Sequence, residues 1–225
     1  MQTTKWIAGI DEAGRGSVLG PMVIVGVLAD SKTENTLKKL GVKDSKVLTP
    51  EKREKLAEVI ENTAKDIIVV KVGPCKIDSY RKSGISLNQI EGMKMVEIIN
   101  YLNPHITQID CPDHNPWKFK EFLKSTCNVN CEIIVEHKAD VKYPLVSAAS
   151  IIAKVERDKE IEKLKEKHGD IGSGYSHDPV TMKWLENWIS HTKEFPDFVR
   201  KTWETVRELK RSRSQSILSR WLRFR

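Results

Sequence analysis

The sequence has no apolar run near the roughly 18 residues that a membrane-spanning helix needs, and it does not open on a secretory leader. A reducing, cytoplasmic setting is therefore expected, with no membrane among the partners. The four cysteines, Cys75, Cys111, Cys127 and Cys131, include no Cys-x-x-Cys pair, which argues against a disulfide framework. Cys127 and Cys131 could pair or share a metal, but half-buried free thiols are the simpler expectation. No internal repeat is present, which excludes solenoids and arrays. No Ser–His–Asp arrangement is present either, so no side-chain nucleophile is indicated. His137 and His177 lie near motifs and are expected to be structural or solvent-facing. Excess charge is scarce outside the C-terminus. The net charge is +7, and residues 207–225 hold seven Lys or Arg against one Glu, so the preceding 206 residues are nearly neutral. Any anion-binding surface in the core must be a local arrangement of charge.

At 225 residues, 39% apolar and 31% charged, the chain can form one large domain or a core with an attachment. KWIAGID and MVIVGVLA read as strands, joined across GSVLGP as a hairpin. A helix is expected after Thr49 as N-cap, with Pro50 in its first turn and Leu56, Ala57, Val59 and Ile60 recurring behind it. DIIVVKVG reads as a third strand, and ISLNQIEGMKMVEIINYL as a helix in which Gly92 is a mild defect. HITQIDCPD and CEIIVEHKAD read as the fourth and fifth strands. PLVSAASIIAKVERDKEIEKLKEKHG is a long helix with an apolar first half, closed by Gly169. VTMKWLENWISH and FVRKTWETVRELKRSRS follow as helices that Trp184, Trp188, Phe195, Phe198 and Trp203 pack together, in preference to stacking on bases. The order predicts an α/β domain with helices covering a mixed sheet.

Chemistry concentrates where strands stop. Asp11, with Glu12 beside it, ends the first strand; Asp110 ends the fourth; Asp140 follows the fifth. If strands one, four and five are parallel neighbours, these acids meet at the sheet edge where open α/β sheets place their sites. Spacing alone leaves two readings open. Each acid ends a strand or caps a helix, or together they hold a divalent cation that offsets their repulsion and prefers oxygen ligands. The glycines that follow are equally open, and by themselves Gly14 and Gly16 read as a bare hairpin turn.

Six motifs, GIDEAGRGSVLGPMVIVGV, DSKVLT, IDCPD, HKAD, PLVSAASIIAKVERD and GSGYSHDP, stand in an order and spacing that resemble the type 2 ribonucleases H in their archaeal form. The resemblance is close over about residues 5–180 and continues in outline through the helices beyond. It implies a ribonuclease H-like α/β fold, a mixed five-stranded sheet flanked by helices, with a C-terminal helical extension. The implied division is a catalytic domain at residues 1–168, a substrate loop and packed helical region at 169–214, and a basic tail at 215–225. It further implies endonucleolytic cleavage of the RNA strand of RNA–DNA hybrids and at ribonucleotides embedded in duplex DNA, leaving 5′-phosphate and 3′-hydroxyl ends. Carried over residue by residue, the family's metal-site acids are Asp11, Glu12, Asp110 and Asp140, which would hold two magnesium or manganese ions. Asp11 would bridge both ions, Asp110 would join it at one and Asp140 at the other, and Glu12 would complete the set.

The same resemblance implies that Gly14, Arg15 and Gly16 read the ribose 2′-hydroxyl through the backbone, with Arg15 on a phosphate. Tyr175 would pack against the sugar on the 3′ side, where a 2′-hydroxyl would crowd it; on sequence alone it is as readily a loop ring tucked onto the core. Lys46, Lys154 and Arg157 are candidates for phosphate contacts or for orienting the acids. Lys154 and Arg157 share a helix face, and salt bridges to Glu156 or Asp158 are their alternative. Ser147 and Ser150 would assist. In the tail, Gln215, Leu218, Trp221 and Leu222 resemble the peptide that docks on the replicative sliding clamp (PCNA), with Leu222 departing from the usual second aromatic. A final amphipathic turn, or a basic tail lying on DNA phosphates, is the alternative there. A monomer is the expected state.

Overall fold

Strand β2 (Met22–Asp30) is buried along nearly its whole length, as its unbroken apolar sequence requires of a strand covered on both faces. In the computed structural model, which describes residues 4–42 and 48–222 with side chains through residue 215, β2 pairs antiparallel with β1 (Trp6–Ala13). The other edge of β1 pairs in parallel with β4 (Ile106–Asp110), which pairs in parallel with β5 (Glu132–Glu136). With β3 (Asp66–Val72) outside β2, the described strands form one five-stranded mixed sheet in the order β3-β2-β1-β4-β5. Strands one, four and five are thus parallel neighbours.

Helix α2 (Pro50–Thr63) begins as its sequence indicates, with the Thr49 side chain accepting from the Lys52 amide. Helix α4 (Leu87–Leu102) opens on a capping box between Ser86 and Gln89. Helix α7 (Pro144–His168) ends at Gly169, whose φ of +76° is the left-handed conformation glycine tolerates. Four of the described helices have no counterpart in the hydrophobic pattern: α1 (Ser31–Lys39), α3 (Pro74–Lys82), α5 (Pro116–Thr126) and the four-residue α6 (Ala139–Lys142). The reason is plain in α1, where Leu37 is the buried residue and no apolar stripe exists. Short α6 (Ala139–Lys142) follows β5, and α8 (Pro179–His191) and α9 (Glu204–Leu222) complete the chain. The α9 backbone runs unbroken through Gln215, so residues 215–222 continue a helix instead of beginning a separate tail. Lys46, and the side chains of Leu218, Trp221 and Leu222, lie outside the described residues.

The described residues form two compact units. The first comprises those of Met1–Ala13, Val23–Lys71 and Ser86–Arg157; the second comprises those of Gly14–Met22, Val72–Ile85 and Asp158–Arg225. The division between these units falls within α7, and the hairpin link and α3 lie with the helical part. The first core gathers Val23, Val25, Val27, Leu145, Ala148 and Ile152. The second gathers Val18, Leu19, Ile171, Leu185, Phe195 and Val206, with Trp184, Trp188, Phe198 and Trp203 packed against it. The aromatic group thus packs the helices, as its spacing indicates. No helix among the described residues is long and apolar enough to cross a membrane.

Three glycines in the first unit permit close approach, Gly26 to the Ile98 side chain and Gly92 and Gly9 to neighbouring helices. Gly92 is no defect: a Cβ there would come within 2.5 Å of the Phe122 ring, so its absence brings α4 against α5. At Gly9 a Cβ would overlap the Leu145 carbonyl and the Val146 nitrogen, so the first turn of α7 lies directly on β1. These are backbone atoms and cannot rotate away. Gly9→Ala is expected to cost about 3 kcal/mol or more, read as a lowered midpoint in chemical denaturation.

Candidate active site

The parallel register sets Ile10 opposite Ile109, so Asp11 and Asp110 occupy the next rung at the carboxyl ends of adjacent central strands. Beyond β5, Lys138 takes a left-handed conformation at φ 57° and turns the chain into α6. Asp140 on α6 is only 2% exposed. The Ala139 amide donates to Asp110 Oδ1 at 2.7 Å, tying the start of α6 to the end of β4. The backbone thereby brings Asp11, Glu12, Asp110 and Asp140 to one edge of the sheet.

Helix α7 supplies the polar groups beside them. Ser147 and Ser150 are buried in its first turns, and the Ser150 hydroxyl hydrogen-bonds to the Asp11 carboxylate. Lys154 lies one turn further along, half-buried, and Arg157 is buried. Of the alternative partners weighed for these two cations, Glu156 pairs with Lys71 at 2.8 Å.

Burial, and then the charges of Glu12 and Asp110, hold the Asp11 carboxyl well above the usual carboxylate range. The Ser150 hydroxyl pulls the other way, as does the Glu12 amide, which donates to Asp11 Oδ1 at 2.7 Å. An all-oxygen donor set with such mutual repulsion fits a hard divalent cation. Among the described residues no three acidic, histidine or cysteine side chains already surround a common point. Asp110 is turned toward the Ala139 amide. The donors are assembled at one edge without forming a finished cage.

The second unit carries the other candidates. Gly14 has a φ of +76°, a conformation suited to glycine. Gly16 is different: its backbone is ordinary, it is exposed, and a Cβ built there meets nothing within 4 Å. The turn is fastened by Ser17, whose hydroxyl donates to the Leu19 and Gly174 carbonyls at 2.5 and 2.8 Å. Ser17 also bridges to Tyr175. The Tyr175 ring is half-exposed and stacks on exposed His177 with centroids 5.4 Å apart. The loop bearing it is held by Thr181, which accepts from the Gly174 amide and donates to the Ile171 carbonyl, both at 2.9 Å. Asp178 accepts from the Ser173 hydroxyl and amide and from the Val180 amide, and these bonds hold its carboxyl well below the usual range. Further along this unit, a cleft of about 690 Å³ is lined by Lys82, Lys201, Arg207, Lys210, Arg211 and Gln215, with Phe195 and Val206 and with Glu194, which pairs with Lys210 at 2.7 Å.

The family model for ribonuclease HII matches residues 8–206. The chain belongs to the ribonuclease HII family. It is 48% identical over 224 residues to ribonuclease HII of Pyrococcus abyssi, covering 97% of this chain and 99% of that protein. It superposes on the crystal structure of ribonuclease H2 from Pyrococcus horikoshii with a TM-score of 0.86 and 45% identity, covering 92% of this chain and 98% of that one. The ribonuclease HII in a PCNA:RNase HII complex from Archaeoglobus fulgidus matches with a TM-score of 0.81 and 47% identity, covering 88% and 95%. The enzyme is accordingly a metal-dependent endoribonuclease that cleaves RNA in RNA–DNA hybrids and at ribonucleotides in DNA.

All four cysteines are free, and burial with the neighbouring Cys131 pushes the Cys127 thiol up to about 11, so it is no thiolate at neutral pH. His137 is exposed. The residues that sequence reasoning misses are those acting on backbone: Ser17, Thr181, Asp178 and Arg200. The Asp-Pro pair at Asp178–Pro179 is the one local signal, since it marks a helix N-terminus.

The raised Asp11 carboxyl has a consequence for stability. The folded protein holds this proton more tightly than the unfolded chain, so without metal, stability falls as pH rises from the usual carboxylate value toward the raised one. In metal-free buffer Asp11→Asn should melt a few degrees above the wild type at neutral pH. The gap should close as pH is lowered to about 4, and added magnesium should raise the wild-type melting temperature alone. A gap independent of pH would remove Asp11 as its source.

Proposed function

We propose that Asp11, Glu12, Asp110 and Asp140 hold two divalent ions, magnesium or manganese, and that Gly14, Arg15, Gly16 and Tyr175 select the ribonucleotide to be cut. The observation that carries the first half is the burial of Asp11 beside Glu12 and Asp110, a cost in free energy that bound cations would reverse. Bound there, the ions would acidify the attacking water and shield charge on the phosphate and the leaving 3′ oxygen, giving 5′-phosphate and 3′-hydroxyl ends. The chain's own part is orientation. Ser150 and the Glu12 amide fix Asp11, and the Ala139 amide fixes Asp110. Ser147, Lys154 and Arg157 support the same edge from α7, with Lys154 toward phosphate. Lys46 takes a further phosphate contact.

Selection rests on Gly16. Gly14 is explained by its dihedral, but neither backbone nor packing asks for glycine at position 16. A missing side chain with no role in the fold leaves room for a ligand, and the 2′-hydroxyl is the group that marks a ribonucleotide. Arg15 holds a backbone phosphate, and the Tyr175 ring meets the neighbouring deoxyribose. The basic cleft takes phosphates of the flanking duplex. The enzyme acts as a monomer in the cytoplasm, where free thiols are at home.

Duplex DNA containing one ribonucleotide is the deciding substrate. Magnesium or manganese should support its cleavage, and Asp11→Asn should abolish it while the fold persists. Gly16→Ala should keep stability or raise it by up to about 1 kcal/mol, yet lower the cleavage rate about a hundredfold. Full activity in either variant would reject the corresponding assignment.

The Archaeoglobus fulgidus relative is seen in complex with PCNA. We infer that Gln215, Leu218, Trp221 and Leu222 form the corresponding clamp-docking element of this chain; Gln215 is exposed. Removing residues 215–225 should abolish binding to a sliding clamp on a sensor surface while metal-dependent hydrolysis continues. Undiminished clamp affinity would reject the assignment.

A further inference from the structure

Arg200 is fully buried, and its guanidinium donates to three carbonyls of the Gly14–Gly20 link. Nη2 donates to the Gly14 carbonyl at 2.6 Å, Nη1 to the Arg15 carbonyl at 2.7 Å, and Nε to the Gly20 carbonyl at 3.1 Å. The cation also lies over the Trp203 ring, 4.9 Å from its centroid. Its own backbone is anchored on both sides. The Arg200 amide donates to the Val18 carbonyl at 2.9 Å. Buried Asp78 accepts from the Lys201 and Thr202 amides at 2.7 and 3.0 Å and from the Thr202 hydroxyl.

Burying a guanidinium is unfavourable unless its donors are satisfied, and an apolar residue of similar volume would fill the same space with less penalty. Mere closure of the turn does not require it, because the Ser17 amide and hydroxyl already bond within and beyond the turn. What the fork adds is direction. In a trans peptide the carbonyl and the following N–H point opposite ways, and no cis peptide occurs among the described residues. Holding the Gly14 and Arg15 carbonyls therefore sets the direction of the Arg15 and Gly16 amides. Charge-assisted bonds to those carbonyls also polarise the two peptide units, making their N–H groups stronger donors.

We propose that Arg200 is a positioning residue for ribonucleotide recognition: it clamps the Gly14 and Arg15 carbonyls and so aims the Arg15 and Gly16 amides at the oxygen atoms of the ribonucleotide. The proposal rests on the reading of Gly14–Gly16 as the sugar-reading turn. It assigns the reading groups as amide donors and makes their aim depend on a planar fork, which lysine lacks.

The test uses the full-length enzyme with Arg200→Lys, which keeps a cation on a comparable stem, and Arg200→Ala, which leaves space for free guanidinium ion. In Arg200→Lys, hydrogen exchange at the Arg15–Ser17 amides should quicken while exchange within α8 is unchanged. The ratio of affinities for a duplex with one ribonucleotide over the all-DNA duplex should fall about tenfold. A purely structural role would reduce the active fraction and leave that ratio unmoved. In Arg200→Ala, guanidinium but not methylammonium should restore the ratio, a second arm that stands even if the lysine variant folds poorly. Unchanged exchange at the turn in Arg200→Lys, or rescue by both ions alike, overturns the clamp. Faster exchange with an unaltered affinity ratio overturns instead the sugar-reading role of Gly14–Gly16.

Discussion

A buried carboxylate among like charges is the constraint around which the first unit is organised. Asp11 lies in β1 just past its last rung with β4, two residues before the strand ends, and burial, then the charges of Glu12 and Asp110, raise its pKa. Such a group persists only where the surrounding backbone holds it. β1 is an inner strand, paired on both edges. Gly9, two residues before Asp11, lets the first turn of α7 lie against the strand, and that turn leads to Ser150 and its hydrogen bond to Asp11. Asp110 is held in turn by the amide that opens α6, the helix that carries Asp140. Remove the close approach at Gly9 and the helix that steadies Asp11 has nowhere to sit.

The legible parts of this molecule are those whose signal is local. The acids are visible because apolar runs stop at them, while the parallel adjacency of β1, β4 and β5, only a condition in the sequence, is supplied by the observed pairing. Thr49, Gly169 and the packed tryptophans announce their roles within a few residues. The clamp on the turn is invisible for the opposite reason: Arg200 and the Gly14 carbonyl lie 186 positions apart, and a carbonyl carries no sequence identity. Nothing about an arginine in FVRKTW says that it is buried. The two units were hidden likewise, since their division cuts α7 and reassigns short stretches such as residues 14–22 and 72–85.

Glycine shows how far pattern and structure differ in kind. Four of the five glycines within or beside the first two strands show how positions alike in the sequence have different causes. Gly9 admits a helix backbone and Gly26 admits the Ile98 side chain. Gly14 supplies a left-handed dihedral. Gly16 supplies nothing to the fold. Sequence reasoning could attach a function to Gly14 and Gly16 only through family resemblance; geometry separates them, leaving Gly16 as the position whose glycine asks for an explanation outside the protein.

The residues proposed to hold cations and those proposed to read the sugar face opposite physical demands. Carboxylates meant for cations cannot be preassembled tightly, because their repulsion grows as they converge and is relieved only when positive charge arrives. A backbone meant to tell a hydroxyl from a hydrogen must be rigid beforehand, since one hydrogen bond discriminates only if its donor cannot swing away to another partner. The second unit meets that demand with bonds to backbone: Ser17 to two carbonyls, Thr181 and Asp178 around the Tyr175 loop, and Arg200 to three carbonyls of the turn. Carbonyls are present in every residue and N–H groups in all but proline, so the selectivity proposed for the turn lies in how they are held. On this argument the identity of Arg200 constrains recognition as strongly as the glycines it clamps.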